Sequence, residues 1–455
     1  MSSRVRTLVV AGTHSGVGKT SVMVGLIKAF EKRGIRVGAF KCGPDYLDPS
    51  YHSLASGRSC HNLDGWMMGR SAVTRTLDRV CCKENLDLAI VEGVMGVFDG
   101  AGPTTEAGST AQIAKWLEAP VLLVVDVGGM ARSVKALVDG FINFDKELKV
   151  AGVVANRVGS KRHLELVKEA LGASRVVGGL PKSPGIAFPE RYLGLQEARK
   201  SSTDTAQLSG WGDLVDEWFD VDRVYGLAGE RNIDPSGHSD LQQSPKKVRL
   251  GIAQDEAFSF YYEDNLRYLE LLGAELVPFS PLLDKALPDV DGLYFGGGYP
   301  EVFAQDLAAN DSMRAAIKSF GELGRPVYGE CGGMMYLMQA IRTKEGKNYP
   351  MVGLLPGEPQ MSDRLQALGY VEVEIQSRSL LGRPGTRFRG HQFRYSEVKE
   401  VEPDQYRIHR RRDRKTILGG YRYKEVLGSY IHGHWASNED LPKNFIAAME
   451  AHQAN

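Results

Sequence analysis

Short, almost uninterrupted apolar runs recur along the chain, and the gaps between them are long enough for a helix. RTLVVAG (6–12), IRVGAFKCG (35–43), LDLAIVEGV (86–94), APVLLVVDVGG (119–129), LKVAGVVANRV (148–158) and SRVVGGL (174–180) make up the first series. Continuous rather than alternating apolar character is what a parallel strand covered on both faces requires. TSVMVGLIKAFEKRG (20–34) and ARSVKALVDGFINF (131–144) read as helices between them. The alternation predicts a doubly wound α/β sheet. A polar stretch rich in Gly, Pro and Ser, 226–247, breaks this rhythm and predicts a linker. The rhythm then restarts with KVRLGIAQD (247–255), AELVPFSP (274–281), DGLYFGGG (291–298) and RPVYGECGG (325–333). YVEVEIQS (370–377) and TRFRGHQFRYSEV (386–398) lack intervening helices, which predicts an antiparallel section in a mixed sheet. Two α/β domains are expected, 1–225 and 248–455, joined by the linker 226–247.

Composition narrows the function. Of 455 residues, 56 Lys and Arg balance 56 Asp and Glu, so charge alone offers no argument for nucleic acid or an anionic membrane as main partner. The basic cluster RIHRRRDRK (407–415) has no interleaved aromatics and reads as a solvated hairpin tip. No apolar run reaches the ~18 residues of a membrane span. The first apolar run is too short for a signal peptide and leads directly into a glycine-rich loop. Five cysteines at irregular spacing suit reduced thiols in a cytoplasmic enzyme.

The glycine-rich loop is AGTHSGVGKT, 11–20, between a strand and a helix. Gly16 and Gly18 allow backbone N–H groups to turn inward around a phosphate, with Gly12, Thr13 and Val17 completing the loop. Lys19 would reach the outer phosphates of ATP, and the Thr20 hydroxyl would hold Mg²⁺. Gly12 stands one position earlier than in the standard Walker A spacing, where Thr13 now stands. Glu92, at the end of an apolar strand, is the companion metal-binding acid, with Asp99 as a second candidate. KCGPDYLDPSYH (41–52) followed by Asp64 gathers Lys41, Asp45, Asp48 and Asp64, a polar set suited to Mg²⁺, phosphate and a carboxylate undergoing activation. Asn156, at another strand end, either reads a nucleobase edge or forms a turn.

In the second half, Cys331 lies on a strand–turn–helix between Gly329, Gly332 and Gly333, the setting of a nucleophile elbow. A helix N-terminus there would favour the thiolate. Backbone N–H groups of Gly297, Gly298 and Gly332 could form an oxyanion hole. His432 is the leading general base, with His434 and His391 as further candidates.

With these residues in view, Cys331 in GECGG and the Gly428–His432 spacing resemble a class I glutamine amidotransferase, and 11–20 resembles the dethiobiotin synthetase branch of P-loop proteins. Together with NLDGWMM, EGVMGVFDG, AFSFYYEDNL, GGGYPE and GSYIHGHW, the chain resembles the cobyrinic acid a,c-diamide synthase (CobB/CbiA) family from residue 5 to about 440. The resemblance implies a ligase. Cys331 and His432 would release ammonia from glutamine, and the first half would activate two carboxylates of a corrinoid or related tetrapyrrole with ATP. It further implies that Asp45, Leu47 and Asp48 lie near a tetrapyrrole carboxylate with Tyr46 beside them, and a homodimer is retained as an assembly. Cobyrinate, hydrogenobyrinate and Ni-sirohydrochlorin are all admitted as substrates. Three departures stand out. His434 occupies the place of the usual Glu two residues after the histidine. Gln392 and Arg394 replace an acid and a histidine of the usual stretch. Neither 14 nor 15 is the lysine of partitioning ATPases. A different-class alternative is a P-loop switch or partitioning ATPase fused to an inert amidotransferase-like module.

Overall fold

Each apolar run of the first series becomes a strand with a fully buried stretch, because both faces are covered. The computed structural model describes residues 3–182, 190–191, 194–195, 205–233, 244–399 and 401–453. Contacts divide the chain into two units, Met1–Ser239 and Asp240–Asn455.

In the first unit the strands lie in the order His61–Leu63, Val37–Cys42, Leu88–Glu92, Ser3–Gly12, Val121–Asp126, Val150–Val158, Val176–Pro181, all parallel. The chain begins in the middle, winds out to one edge and then to the other. The first strand is therefore the topological switch, the point where open α/β sheets leave a crevice at their carboxyl ends. The loop after Gly12 opens into that crevice. Helix Lys19–Lys32 follows it and packs closely on helix Thr205–Trp218. Gly25 permits the approach, since a Cβ there would run into Val215 and stand 3.0 Å from the Trp211 carbonyl.

The second unit has a six-stranded sheet, Ala274–Phe279, Val248–Ala253, Gly292–Phe295, Val327–Glu330, Val426–Ser429 and Tyr421–Tyr423, antiparallel only at the last pair. The helix-free segments pair antiparallel as expected, from Ala367↔Arg394 to Glu374↔Arg387. They belong to a five-stranded sheet, Thr416–Gly419, Tyr406–Arg410, Ala367–Ile375, Arg387–Arg394, His432–Gly433. Strand Val426–Ser429 of the parallel sheet runs almost directly into His432–Gly433 of the antiparallel one, so His432 sits where the two sheets meet. The basic cluster forms a hairpin, with Tyr406↔Gly419 to His409↔Thr416 paired below an exposed turn.

One boundary differs from expectation. Residue 226 does not begin a linker: helix Val221–Leu227 continues through it, and Gly229–Ile233 then forms a strand antiparallel to Ser3–Thr7. The run GERNI is polar because it is a short edge addition with alternating burial, so it carries no apolar signal. The rest of the expected linker, 234–243, lies outside the described residues. Arg231 fixes the added strand through Asp78, at 2.8 and 3.2 Å, in a half-buried pair. Arg231→Ala is expected to lower the unfolding free energy of the first unit by roughly 1.5–3 kcal/mol, the worth of hydrogen bonds to a charged group. A urea titration should show this as a lower midpoint with unchanged slope.

Candidate active sites

At the phosphate loop, Gly16 and Gly18 take φ of +75° and +94°, the left-handed backbone that side chains disfavour. A Cβ on Gly18 would collide with the Asn156 amide. That amide donates to the Val17 carbonyl at 2.7 Å, while its oxygen accepts the Arg157 N–H at 2.9 Å. Asn156 thus braces the loop. Arg157 adds a second brace by donating to Gly16 O at 3.0 Å and pairing with Asp126. Lys19 is buried and donates to Met95 O at 2.8 Å; burial and neighbouring Lys41 lower its pKa.

Glu92 and Lys41 are register partners on adjacent parallel strands, and both are buried. Thr20 Oγ1 donates to Glu92 Oε1 at 3.0 Å, Lys41 Nζ reaches the same oxygen at 3.0 Å, and His52 Nε2 approaches Oε2 at 2.5 Å. Burial alone would favour the neutral acid, but Lys41 and His52 outweigh it and hold Glu92 well below the carboxylate range. Lys41 also meets Asp48 at 2.5 Å and Gly93 O at 3.1 Å, with Asp45 at 3.8 Å. Burial opposes its charge, yet Asp48, Glu92 and Asp45 keep it charged. Lys41 is therefore paired with the protein's own carboxylates. Asp48 is pushed up by burial and by Asp45.

Asp45 caps the following helix by accepting from Leu47 N at 2.8 Å and Asp48 N at 3.2 Å, and Tyr46 stands at that helix's N-cap. Asp64 accepts the Trp66 and Met67 N–H groups at 2.9 and 2.7 Å through Oδ1 in a turn. Asp99 similarly accepts Gly96 N at 2.9 Å. Among the described residues no group of three or more His, Cys, Asp and Glu is arranged to hold a metal ion. His52 escaped the sequence reading, although its spacing of four from Asp48 on one helix puts both on the same face.

In the second unit Cys331 has φ +49° and ψ −104°, a strained elbow between strand Val327–Glu330 and helix Gly332–Leu337. Glycines make room around it. A Cβ on Gly332 would stand 3.1 Å from both N and O of Gly298, and one on Gly333 would strike Phe295 O. Gly298 and Gly332 thus approach closely, while Gly297 lies against the His432 ring, where a Cβ would collide with Cε1. Tyr261 pins this loop, donating to Ala253 O at 2.5 Å and accepting Gly296 N–H at 2.8 Å. Asn265 pins the histidine segment through Gly433 O at 2.7 Å and Trp435 N at 2.9 Å.

Burial works against a resting thiolate. Its helix has only six residues, and burial pushes Cys331 up to about 12, with Glu301 adding to the rise and Arg394 opposing it. Arg394 lies over the Tyr430 ring at 4.3 Å and donates to Ser396 O at 2.5 Å. Burial likewise lowers His432 to about 3 and His434 to about 4. The three candidate histidines separate by geometry. His434 accepts Ala436 N–H at 3.3 Å and caps a turn, and His391 meets Tyr262 OH at 2.9 Å and stacks on His432 at 4.9 Å. His432 alone of the three lies beside the glycine loop. Its Nδ1 is 4.0 Å from Glu330, a buried acid that the sequence reading passed over.

A family model described as the CobQ/CobB/MinD/ParA nucleotide binding domain matches residues 8–192, and one described as the CobB/CobQ-like glutamine amidotransferase domain matches 249–440. A cobyrinate a,c-diamide synthase of Leptospira interrogans is 46% identical over 98% of this chain and 99% of its own. One from Syntrophotalea carbinolica is 44% identical, covering 96% and 97%, and one from Methanothermobacter thermautotrophicus is 40% identical, covering 96% and 98%.

Two glycine substitutions test the geometry. Gly18→Ala should abolish binding of a fluorescent ATP analogue, because strain and the Asn156 collision both deform the loop. Gly297→Ala should displace the His432 ring and slow glutamine hydrolysis by about 10²-fold, the usual cost of a small misplacement. Gly226→Ala, where a Cβ meets nothing within 4 Å, is the control and should leave both unchanged.

Proposed function

The chain belongs to the cobyrinate a,c-diamide synthase family, and from that premise we propose how its two halves amidate the a and c side-chain carboxylates of cobyrinate. It is a glutamine-hydrolysing carbon–nitrogen ligase. The observation that carries the reading is the presence, in one chain, of a strained buried thiol at a glycine-lined elbow, with His432 against the same glycine loop, and of a phosphate loop joined to Glu92 through Thr20.

Glutamine chemistry belongs to the second unit. The Cys331 sulfur bonds to the carboxamide carbon while His432 accepts the thiol proton and returns it to the departing nitrogen. Ammonia leaves, and water hydrolyses the glutamyl thioester to glutamate. Backbone N–H groups of Gly298 and Gly332 would serve the developing oxyanion, a reading supported by the close approach of these two glycines. Because thiol and imidazole both rest neutral, the proton moves only as the sulfur attacks.

The first unit activates the acceptor. A substrate carboxylate takes the γ-phosphoryl group of ATP and ADP departs. Ammonia then attacks the acyl carbon and phosphate leaves, once at each carboxylate. Gly16, Gly18 and Lys19 hold the phosphates, with Asn156 and Arg157 bracing the loop. Asp45, Tyr46, Leu47 and Asp48 sit at one strand end beside Lys41, which supports the substrate placement. The Thr20 hydroxyl and Glu92 carboxylate form a hard oxygen pair that fits Mg²⁺; once bound, the ion would neutralise phosphate charge. None of the five cysteines is joined in a disulfide, which supports a reducing, cytoplasmic setting.

Incubating the enzyme with ATP, glutamine and cobyrinate, hydrogenobyrinate or Ni-sirohydrochlorin, then weighing the products, tests the substrate. Each amidation lowers the mass by about one unit, so the true acceptor shows a decrease of about two. Cys331→Ala should lose glutamine-dependent product and recover it with ammonium. Glutamine-independent ATP hydrolysis with no amide formed on any macrocycle would instead favour a P-loop switch.

A further inference from the structure

An acid at the end of an apolar strand must find partners or remain neutral, and Glu330 has found an unusual set. It directly precedes the nucleophile and is buried. Its Oε1 accepts from Tyr328 OH at 2.9 Å and from Gly433 N–H at 3.1 Å, and its Oε2 accepts from Tyr294 OH at 3.0 Å. A carboxylate has about four acceptor sites, so these three donors leave one. His432 Nδ1 stands 4.0 Å from Oε2. The donor Gly433 is the residue after His432, so the acid also holds the backbone that carries the ring.

We infer that Glu330 is the positioning residue for His432, supplying from the nucleophile's own strand the carboxylate that position 434 lacks. The inference rests on the glutaminase reading above. A carboxylate facing Nδ1 keeps the proton on that nitrogen and leaves Nε2 as the base for the thiol. When Nε2 takes the Cys331 proton, the imidazolium forms beside the Glu330 carboxylate, whose negative charge offsets it. The Tyr294 and Tyr328 hydroxyls fix its plane, as second partners fix an orienting acid elsewhere. The other titratable groups acting on it are Tyr261, Tyr406 and Cys331, and all carry their protons at neutral pH.

The pH profile offers a readout that a merely structural role would not move. Burial raises Glu330 to about 7, while Gly433 N–H, Tyr328 and Tyr294 oppose the rise. Burial moves His432 down to about 3 and Cys331 up to about 12, both away from neutrality, so a rise in glutaminase rate near neutral pH is the limb expected of Glu330.

Glutaminase kinetics of the full chain, with ammonium-dependent amidation in parallel, test the inference. Glu330→Gln should lower kcat for glutamine by about 10²- to 10⁴-fold, flatten the limb near pH 7 and leave KM for glutamine unchanged. Ammonium-dependent amidation should persist, and Glu330→Asp should regain part of kcat and the limb. Wild-type kcat and an unaltered limb in Glu330→Gln would overturn the inference. So would loss of glutamine binding in both variants, since the acid would then only hold the fold. A wild-type chain that hydrolyses no glutamine sinks the glutaminase reading and this inference with it.

Discussion

Charge carried to the dry end of a parallel strand has to be answered by the protein itself, and both halves of this chain are organised around that demand. Glu92 and Glu330 occupy equivalent places, each closing a strand buried along its length. Their partners set them apart. Glu92 faces a lysine and a histidine across neighbouring elements and is held ionised. Glu330 faces two phenols and a backbone amide, which solvate without neutralising, and it titrates near neutrality. One position in two sheets thus yields a fixed anion where a permanent negative charge is needed and an adjustable one beside a base.

Backbone shape answers the other demand, which is room. The nucleophile sits in a backbone conformation that only a tightly determined surrounding would impose. That surrounding is largely main chain: Gly298, Gly332 and Gly333 bring carbonyls and amides to distances a side chain would forbid, and Gly297 admits the imidazole. Tyr261 and Asn265 then lock the two segments with hydrogen bonds to backbone. Rigid main chain and short tethers hold a reacting geometry better than mobile side chains do.

Much of this was legible in the residues. Continuous apolar runs named the parallel strands, because burial on both faces leaves no other pattern, and Gly-Lys-Thr and Gly-Glu-Cys-Gly-Gly marked the two turns. What was hidden depended on partners distant in sequence. The strand Gly229–Ile233 is polar and borrows its place from Ser3–Thr7, over two hundred residues away. The ion pair of Lys41 was hidden because nothing local reveals that Glu92 is its register neighbour. Asp64 gives no sign of its turn because short-range hydrogen bonds leave no periodic trace, and Asn156 gives none of its bond to Val17, 139 residues away. Glu330 was overlooked beside a more conspicuous cysteine, though an acid ending a buried strand is itself a signal.

The burial of Cys331 has a consequence for the enzyme's durability. Peroxides and alkylating agents attack the thiolate, and a thiol held at about 12 offers almost none at neutral pH. With His432 also neutral, nothing nearby deprotonates the sulfur in advance. The nucleophile is thus shielded from oxidants for as long as it is idle.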